Sequence, residues 1–324
     1  MPSTDDSIII VGAGVFGLST TLELRLRGYH KITVIDRMLP PVPDGSSVDI
    51  SRVIRSDYTD PFYAKLASEA MDAWISDDWK QFYYNSGFVI SSVAPNEPFV
   101  EKCKNVLREQ NRPYTTFKTS AELIGKYPSL KGGLTNGASG YINHFGGWAD
   151  AAEAIRRLAA RCSEPGISFI TGPSGTVQSL ITNQSCVVGV RTMTGPIYGS
   201  RIILATGAWT NRLTDLTFAM SSSGQPVGFI QLTPEEAKSI SNMPVVIDLQ
   251  QDASSFRQPL MTMRTKLHAT ATASKPKTLH RTNVSFQHRS TKTVPFLHSY
   301  PKMQTQASET AFSIFCLNLR SILG

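Results

Sequence analysis

The sequence predicts an α/β fold organised around a parallel β-sheet, and three observations predict it. A continuous apolar run, Ile8 to Val11, has the length and composition of a strand buried on both faces. A glycine-rich turn and apolar residues at helical spacing follow, and a second strand, residues 31–35, ends at Asp36. Strand, glycine turn, helix, strand and acid in this order are typical of a Rossmann-like βαβ unit.

The glycine turn, Gly12-Ala13-Gly14-Val15-Phe16-Gly17, matches the pattern that binds the pyrophosphate of a dinucleotide. Gly12 permits the tight turn, Gly14 lets the backbone approach the pyrophosphate, and Gly17 lets the helix pack closely on the strand. Asp36 stands where a carboxylate accepts hydrogen bonds from an adenosine ribose and repels a 2′-phosphate. A glycine turn alone would also suit a plain strand-to-helix connection. With its flanking elements it predicts FAD or NAD, not NADP, and does not choose between the first two.

The segment 46–58 carries two arginines, Arg52 and Arg55, three residues apart. From these residues alone, a solvated helical or loop face is the favoured interpretation. The competing interpretation is that one guanidinium binds an anionic substrate through two parallel hydrogen bonds. Asp60 and Pro61 follow, and they predict the N-cap and the first turn of a helix.

Small residues follow the last of several short β-type runs between residues 167 and 205. The run 201–205 is predicted from its composition to be a buried strand, and it ends in Thr206-Gly207-Ala208-Trp209. Ligands of open α/β sheets tend to bind at the carboxyl ends of such strands. A tight turn beneath a packed tryptophan explains the same residues equally well.

Four ordered motifs together resemble the FAD-dependent amine oxidases of the D-amino-acid-oxidase superfamily, in particular the group of sarcosine, pipecolate, saccharopine and fructosyl-amino-acid oxidases. They are GAGVFG with Asp36, SRVIRSDY, GGWADA at 146–151 and ILATGAW at 203–209. The likeness covers about residues 7–250. It implies an FAD-binding Rossmann-like domain of the glutathione-reductase type and a partial, sheet-based substrate domain.

The resemblance also implies a discontinuous layout of domains. Residues 1–85 and 146–220 would form the FAD-binding domain, and residues 86–145 and 221–252 would form part of the substrate domain. Arg55 corresponds to the arginine that binds the substrate carboxylate in sarcosine oxidase-like members. No catalytic residue is carried over, and no metal site is expected.

The resemblance further implies a set of residues that contact a non-covalently held FAD. They lie in the glycine turn, at the end of the second strand, in the two-arginine segment and at the carboxyl end of the last strand, and Val177 would lie against the adenine. The full set is Gly12, Gly14, Val15, Phe16, Gly17, Asp36, Arg37, Ser51, Arg52, Val177, Gly207, Ala208 and Trp209. The chemistry of such oxidases is a hydride-equivalent transfer from the carbon beside a secondary amine to the flavin. Oxygen then gives hydrogen peroxide, and water hydrolyses the imine.

Residues 253–324 differ from the rest of the chain, since they carry a net charge of +9 and residues 1–252 a net charge of −2. After residue 252 we find none of the further strands, the oxygen-activating lysine or the flavin-linked cysteine of such oxidases, and neither Lys266 nor Cys316 has the required neighbours. We therefore expect a disordered or non-native Ser/Thr-rich tail, for example from a frameshift or retained intron. A genuine basic tail that binds nucleic acid or membrane is the competing interpretation.

The expected function is the FAD-dependent oxidation of an N-substituted amino acid or other secondary amine by O2. The alternatives are a truncated, inactive relative that at most binds FAD, and an NAD-dependent dehydrogenase. The four cysteines lack disulfide or metal spacing, and the longest apolar stretch is too short to span a bilayer. We expect a cytoplasmic monomer without nucleic-acid or membrane partners. The final residues lack the peroxisomal signal found in relatives.

Overall fold

The computed structural model describes residues 3–94, 97–131, 133–163, 166–222 and 227–249, and the backbone of three later strands at 253–256, 264–269 and 284–286. The chain forms two compact units. In the described part, the first contains residues 3–49 and 151–222, and the second contains the remainder. These units divide the chain at residues 49 and 150, whereas the predicted domains divide it at 85 and 145.

The described elements are six α-helices and eighteen strands, with short 3-10 helices between some of them. The helices are α1 (Val15–Leu26), α2 (Pro61–Trp74), α3 (Glu97–Glu109), α4 (Ser120–Lys126), α5 (Ala151–Arg161) and α6 (Pro234–Ser239). The strands are β1 (Ile8–Val11), β2 (Ile32–Ile35), β3 (Arg52–Ile54), β4 (Tyr83–Tyr84), β5 (Phe88–Ser92), β6 (Tyr114–Phe117), β7 (Ser139–Asn143), β8 (Gly147–Ala149), β9 (Ile167–Ile170), β10 (Val177–Asn183), β11 (Cys186–Thr192), β12 (Pro196–Tyr198), β13 (Arg201–Leu204), β14 (Val227–Gln231), β15 (Val245–Asp248), β16 (Ala253–Phe256), β17 (Arg264–Ala269) and β18 (Val284–Phe286).

The first unit is built on a parallel sheet with the order β13-β1-β2-β9. The predicted βαβ unit is confirmed: β1 is fully buried, α1 follows it, and β2 pairs with it in parallel. β13 was predicted to be buried, but its apolar residues are only half-buried. The reason is its position at the edge of the sheet, where it has one neighbouring strand in place of two. A separate antiparallel sheet, β10-β11-β12, belongs to the same unit.

Helix α1 ends where the sequence predicts, because Gly28 has a φ of +88°, in the left-handed region that favours glycine. The start of α2 is also confirmed. Asp60 caps the helix by accepting hydrogen bonds from the backbone N–H groups of Phe62 and Tyr63, at 2.9 and 3.1 Å, and Pro61 occupies the first turn.

The second unit contains an eight-stranded mixed sheet with the order β18-β14-β17-β16-β15-β5-β7-β6. β15 and β5 are parallel, and the other described neighbours are antiparallel. Alternate residues of β5 pack into two different hydrophobic cores. Phe88 and Ile90 pack with Cys103 of α3, whereas Val89 packs with Leu123 of α4. Helices therefore cover both faces around β5.

A smaller sheet of the second unit, β3-β8-β4, joins two of the sequence motifs. Arg52 pairs with Ala149 and Ile54 pairs with Gly147, so the SRVIR and GGWAD segments run side by side. A Cβ at Gly147 would overlap the backbone carbonyl oxygen of Tyr84 on the third strand. The glycine is therefore required by the close approach of two strands.

Three short strands, β16, β17 and β18, lie after residue 252, contrary to the expectation that no further strands follow it. They join the sheet by backbone hydrogen bonds to β15 and β14, and such bonds can form whatever the side chains are. The rest of the segment 253–324 lies outside the described residues. Within the described chain, no helix is long and apolar enough to cross a membrane.

Candidate functional site

The predicted glycine turn lies at the carboxyl edge of the parallel sheet of the first unit. Gly12 has a φ of +111°, and a Cβ there would overlap the carbonyl oxygen of Ala205, which follows β13. A Cβ at Gly17 would overlap the carbonyl oxygen of Gly12. Both glycines are thus required by contact of backbone with backbone, as the motif predicts.

The N-terminus of α1 has the features of an anion-binding site. Gly14 is its N-cap and supplies no side-chain hydrogen bond, and the first turn contains no acidic residue. The backbone N–H of Val15 donates to Oγ of Ser47, at 2.8 Å, and a Cβ at Gly14 would lie 2.9 Å from the same oxygen. A helix N-terminus with close backbone and no acidic residue in its first turn suits a pyrophosphate.

Ser47 is a candidate site residue that the sequence analysis did not single out. Its Oγ accepts the hydrogen bond from Val15, which leaves the hydroxyl proton able to donate to a phosphate oxygen. It lies 32 positions after Val15, and only the neighbouring Gly45-Ser46 marks the segment as a small-residue loop. That composition could have indicated a turn but not its place beside α1.

Asp36 lies at the end of β2, next to the glycine turn. Its Oδ2 accepts a hydrogen bond from the N–H of Ala13 at 2.7 Å, and its Oδ1 accepts one from the N–H of Arg37 at 2.6 Å. Each carboxylate oxygen has a further lone pair, so the fixed carboxylate can also accept ribose hydroxyls. The turn, the helix N-terminus and this acid together fit the ADP half of a dinucleotide.

The structure brings Arg37 and Trp209 together, both of them predicted cofactor contacts. Arg37 donates to both carboxylate oxygens of Asp44, at 3.0 and 2.8 Å, and its guanidinium carbon lies 5.6 Å from the centroid of the Trp209 ring. The hydrogen bond with Asp44 raises the pKa of Arg37. Trp209 is 39% exposed in a 3-10 helix, Gly207–Arg212, so it is not a tryptophan packed over a turn.

The remaining predicted cofactor contacts are divided between the units. Val177, at the start of β10, is half-buried against the cluster that contains Ile35. Gly207 and Ala208 open the 3-10 helix after β13. Ser51 and Arg52 belong to the second unit, where Ser51 is buried and Arg52 begins β3. Their contact with a flavin stays a prediction.

Arg55 is buried in the second unit, and the interpretation of a solvated face is therefore wrong for it. Its relative exposure is 7%, and the centroids of the Tyr58 and Phe88 rings lie 4.2 and 5.4 Å from its guanidinium carbon. Nη1 donates to Oδ1 of Asp57 at 3.2 Å and to the backbone carbonyl oxygen of Asp57 at 3.3 Å. Arginine is rarely buried unless it is paired, and this pairing explains its place.

Asp57 connects Arg55 to the sheet. The carboxylate is fully buried, and its Oδ2 accepts a hydrogen bond from the hydroxyl of Tyr141 on β7. Burial, and then the charge of Asp57, raises the pKa of Tyr141 well above its ordinary value, so the phenol stays a donor. Burial alone would lower the pKa of Arg55. The charge of Asp57, followed by the neighbouring Tyr58, Tyr141 and Cys103, raises that pKa overall. A cation, an anion and a neutral phenol thus form one buried chain of hydrogen bonds.

Comparison with known proteins identifies the family. A model of the family described as DAO, FAD dependent oxidoreductase, matches residues 7–295. The chain belongs to this family. The match continues past residue 252, farther than the likeness seen in the sequence. The origin of the segment 253–324 stays a prediction.

Two curated members of the family illustrate the relationship. The L-saccharopine oxidase of Schizosaccharomyces pombe is 33% identical over 263 residues, which cover 75% of this chain and 60% of the relative. The human peroxisomal sarcosine oxidase is 24% identical over 208 residues, which cover 63% and 51%. The chain thus spans between half and two thirds of the length of these family members.

Solved structures of FAD-family oxidases have the same fold. Amadoriase I of Aspergillus fumigatus, a fructosyl amine:oxygen oxidoreductase, superposes with a TM-score of 0.71 at 26% identity, over 83% of this chain and 64% of that one. Fructosyl peptide oxidase of E. terrenum gives a TM-score of 0.74 at 25% identity, with the same 83% and 64% coverage. The predicted fold class, an FAD-binding Rossmann-like domain with a sheet-based partner, and the predicted cofactor, FAD, are confirmed.

The three described cysteines differ in the reactivity expected of them. Cys103 and Cys162 are buried, whereas Cys186 is exposed at the start of β11. Burial, and then the charge of Asp57, raises the pKa of Cys103 to about 12, which disfavours the reactive thiolate. Among the residues that the structure describes, no group of three or more histidines, cysteines or acids could hold a metal ion.

We expect one described cysteine, Cys186, to react rapidly with iodoacetamide at pH 8, and Cys103 and Cys162 to react only when the chain unfolds. Peptide mass spectrometry after a short pulse of reagent, with and without urea, measures this. Cys186→Ser is the matched control and should remove the rapid modification. Rapid native-state modification of Cys103 would contradict its burial beside the cluster of Arg55, Asp57 and Tyr141.

Proposed function

We propose that this chain is an FAD-dependent oxidase of an N-substituted amino acid. The observation that carries the proposal is the cradle formed by the glycine turn, Asp36 and Ser47 at one edge of a parallel sheet, in a member of an FAD-dependent family. Saccharopine, sarcosine and the fructosyl amines in the names of its relatives share a secondary amine. The substrate class follows from that shared chemistry.

The ADP half of FAD would lie at the cradle. The N-terminus of α1 and the hydroxyl of Ser47 would hold the pyrophosphate, and Asp36 would accept hydrogen bonds from the ribose. Val177 would lie against the adenine. When it is bound, FAD supplies the two-electron oxidation of the carbon–nitrogen bond and passes the electrons to O2, which becomes hydrogen peroxide.

Arg55 would bind the carboxylate of the substrate. Its guanidinium stays cationic because Asp57 offsets the cost of burial, and a planar guanidinium can bind a carboxylate through two hydrogen bonds. Both hydrogen bonds from Arg55 to Asp57 are donated by Nη1, so Asp57 accepts none from Nη2 of Arg55. A fixed carboxylate would place the neighbouring amine and its carbon in a constant position for oxidation.

A second candidate function is FAD binding without turnover. It is the alternative that the sequence analysis left open. Under either candidate we propose a non-covalent FAD and a monomer without nucleic-acid or membrane partners. We propose a reducing compartment such as the cytoplasm, since the spacing of the cysteines in the sequence fits neither a disulfide framework nor a metal site.

The test begins with the absorbance spectrum of the purified chain before and after denaturation. We expect a flavin spectrum, and free flavin after denaturation. We then expect peroxide on addition of saccharopine, sarcosine, pipecolate or a fructosyl amino acid, with FAD alone as the blank. A flavoprotein that makes no peroxide from any of the four would favour the second candidate. A colourless chain that does not take up added FAD would overturn both.

A further inference from the structure

The buried hydrogen-bond chain around Arg55 contains two residues to which the proposed reaction gives no role. Asp57 and Tyr141 are both fully buried, and they are 84 positions apart in the sequence. Replacing a buried ion pair with apolar side chains of similar volume is often neutral or stabilising, so such a pair is weak evidence for stability alone. The arrangement therefore calls for a further explanation.

The geometry of the chain fixes the guanidinium of Arg55 from several directions. Asp57 holds Nη1 with its carboxylate and with its backbone carbonyl oxygen, and the rings of Tyr58 and Phe88 flank the guanidinium. Asp57 is itself fixed, because the hydroxyl of Tyr141 donates to its second oxygen. Tyr141 in turn belongs to β7, which is hydrogen-bonded to strands on both sides.

We propose that Asp57 and Tyr141 are positioning residues that hold Arg55 ready to bind a substrate carboxylate. This inference rests on the proposed role of Arg55. An arginine side chain has many rotamers, and binding a ligand normally costs the entropy of ordering it. Here that order exists before the ligand arrives. The carboxylate of Asp57 cannot itself attract an anion, so beyond keeping the buried Arg55 cation paired, its contribution to binding is orientation.

Tyr141→Phe is the decisive substitution, since it removes one hydroxyl and leaves every charge in place. Tyr114→Phe is the matched control, because the Tyr114 ring packs edge-on against Tyr141 but its hydroxyl accepts a hydrogen bond from Arg108. The readout is the change in the flavin spectrum of the FAD-loaded chain on titration with propionate and with propionamide. Neither probe contains an oxidisable amine, and only propionate carries the charge that Arg55 would recognise.

We expect Tyr141→Phe to weaken propionate binding by about tenfold and to leave propionamide binding unchanged, since the lost hydrogen bond is to a charged group. Tyr114→Phe should stay within about twofold of the original chain for both probes, because its hydroxyl bonds outside the cluster. A purely structural role would lower the melting temperature and change the binding of both probes equally. That result, or unchanged binding of both probes, would overturn the inference.

Arg55→Gln separates failure of this inference from failure of the proposed function. If Arg55→Gln abolishes the preference for propionate but Tyr141→Phe does not, Arg55 binds the carboxylate without the positioning pair. If Arg55→Gln leaves the preference intact, or the original chain shows no preference, the proposed role of Arg55 fails, and the inference fails with it.

A crystal structure of the original FAD-loaded chain with propionate tests the inference without any variant, should Tyr141→Phe not fold. We expect Nη1 of Arg55 to remain on Asp57 while another edge of the guanidinium binds the propionate carboxylate. Propionate in the place of the Asp57 carboxylate on Nη1, or bound away from Arg55, would overturn it.

Discussion

We expect Gly17→Ala to abolish FAD binding and to lower the free energy of unfolding by about 3 kcal/mol, the upper end for overpacking in a well-packed core. The added methyl group would overlap the carbonyl oxygen of Gly12, which is backbone and cannot rotate away. Helix α1 would have to move away from β1, and its N-terminus would leave the cradle that contains Ser47. The pyrophosphate would lose its donors at the same time as the unit loses packing.

Gly125→Ala is the matched control for this substitution. Gly125 lies inside α4, and a Cβ there would meet nothing within 4 Å. Alanine in place of a helical glycine should stabilise the chain by about 0.5–1 kcal/mol and leave FAD binding unchanged. Flavin absorbance after gel filtration and urea unfolding measure the two effects. A Gly17→Ala chain that retains one flavin per chain and the original unfolding midpoint would show that the backbone contact is not required.

The sequence allowed the glycine turn and Asp36 of the first unit to be predicted because their signals are local. β1, the glycine turn, α1 and β2 follow one another within 30 residues, and each has its own periodicity or its own required glycine. Gly17 illustrates the point, since its role depends on a backbone only five positions away.

Other features could not be predicted because they depend on contacts between distant residues. Ser47 reaches the α1 N-terminus across a loop, and Tyr141 reaches Asp57 across 84 positions. Arg55 looked solvated because arginine usually is, and only its pairing with a buried acid reverses that expectation. The prediction for β13 was wrong in the opposite direction, since the strand was expected to be buried and is only half-buried. An apolar run does not reveal which strand lies at the edge of a sheet.

Asp57→Ala should be among the most destabilising single substitutions in the second unit, at about 3–5 kcal/mol, because it leaves the Arg55 cation buried and unpaired. The hydroxyl of Tyr141 would also lose its acceptor. Asp72→Ala is the matched control. It breaks a comparable bond, from Nη2 of Arg112 to Oδ1 of Asp72 at 2.7 Å, but the Asp72 side chain is 65% exposed. Exposed pairs contribute about 0–1 kcal/mol.

The double variant Arg55→Met/Asp57→Ala identifies the cause of the loss. Removing both charges leaves no buried ion without a partner, so we expect it to recover at least half of the stability lost in Asp57→Ala. Urea unfolding of the original chain, Arg55→Met, Asp57→Ala and the double variant measures the coupling, with Asp72→Ala as the control. If Asp57→Ala costs no more than Asp72→Ala, or if the double variant is no more stable than Asp57→Ala, then Asp57 does not compensate a buried Arg55 cation. The positioning of Arg55 by Asp57 and Tyr141 would then lose its physical basis.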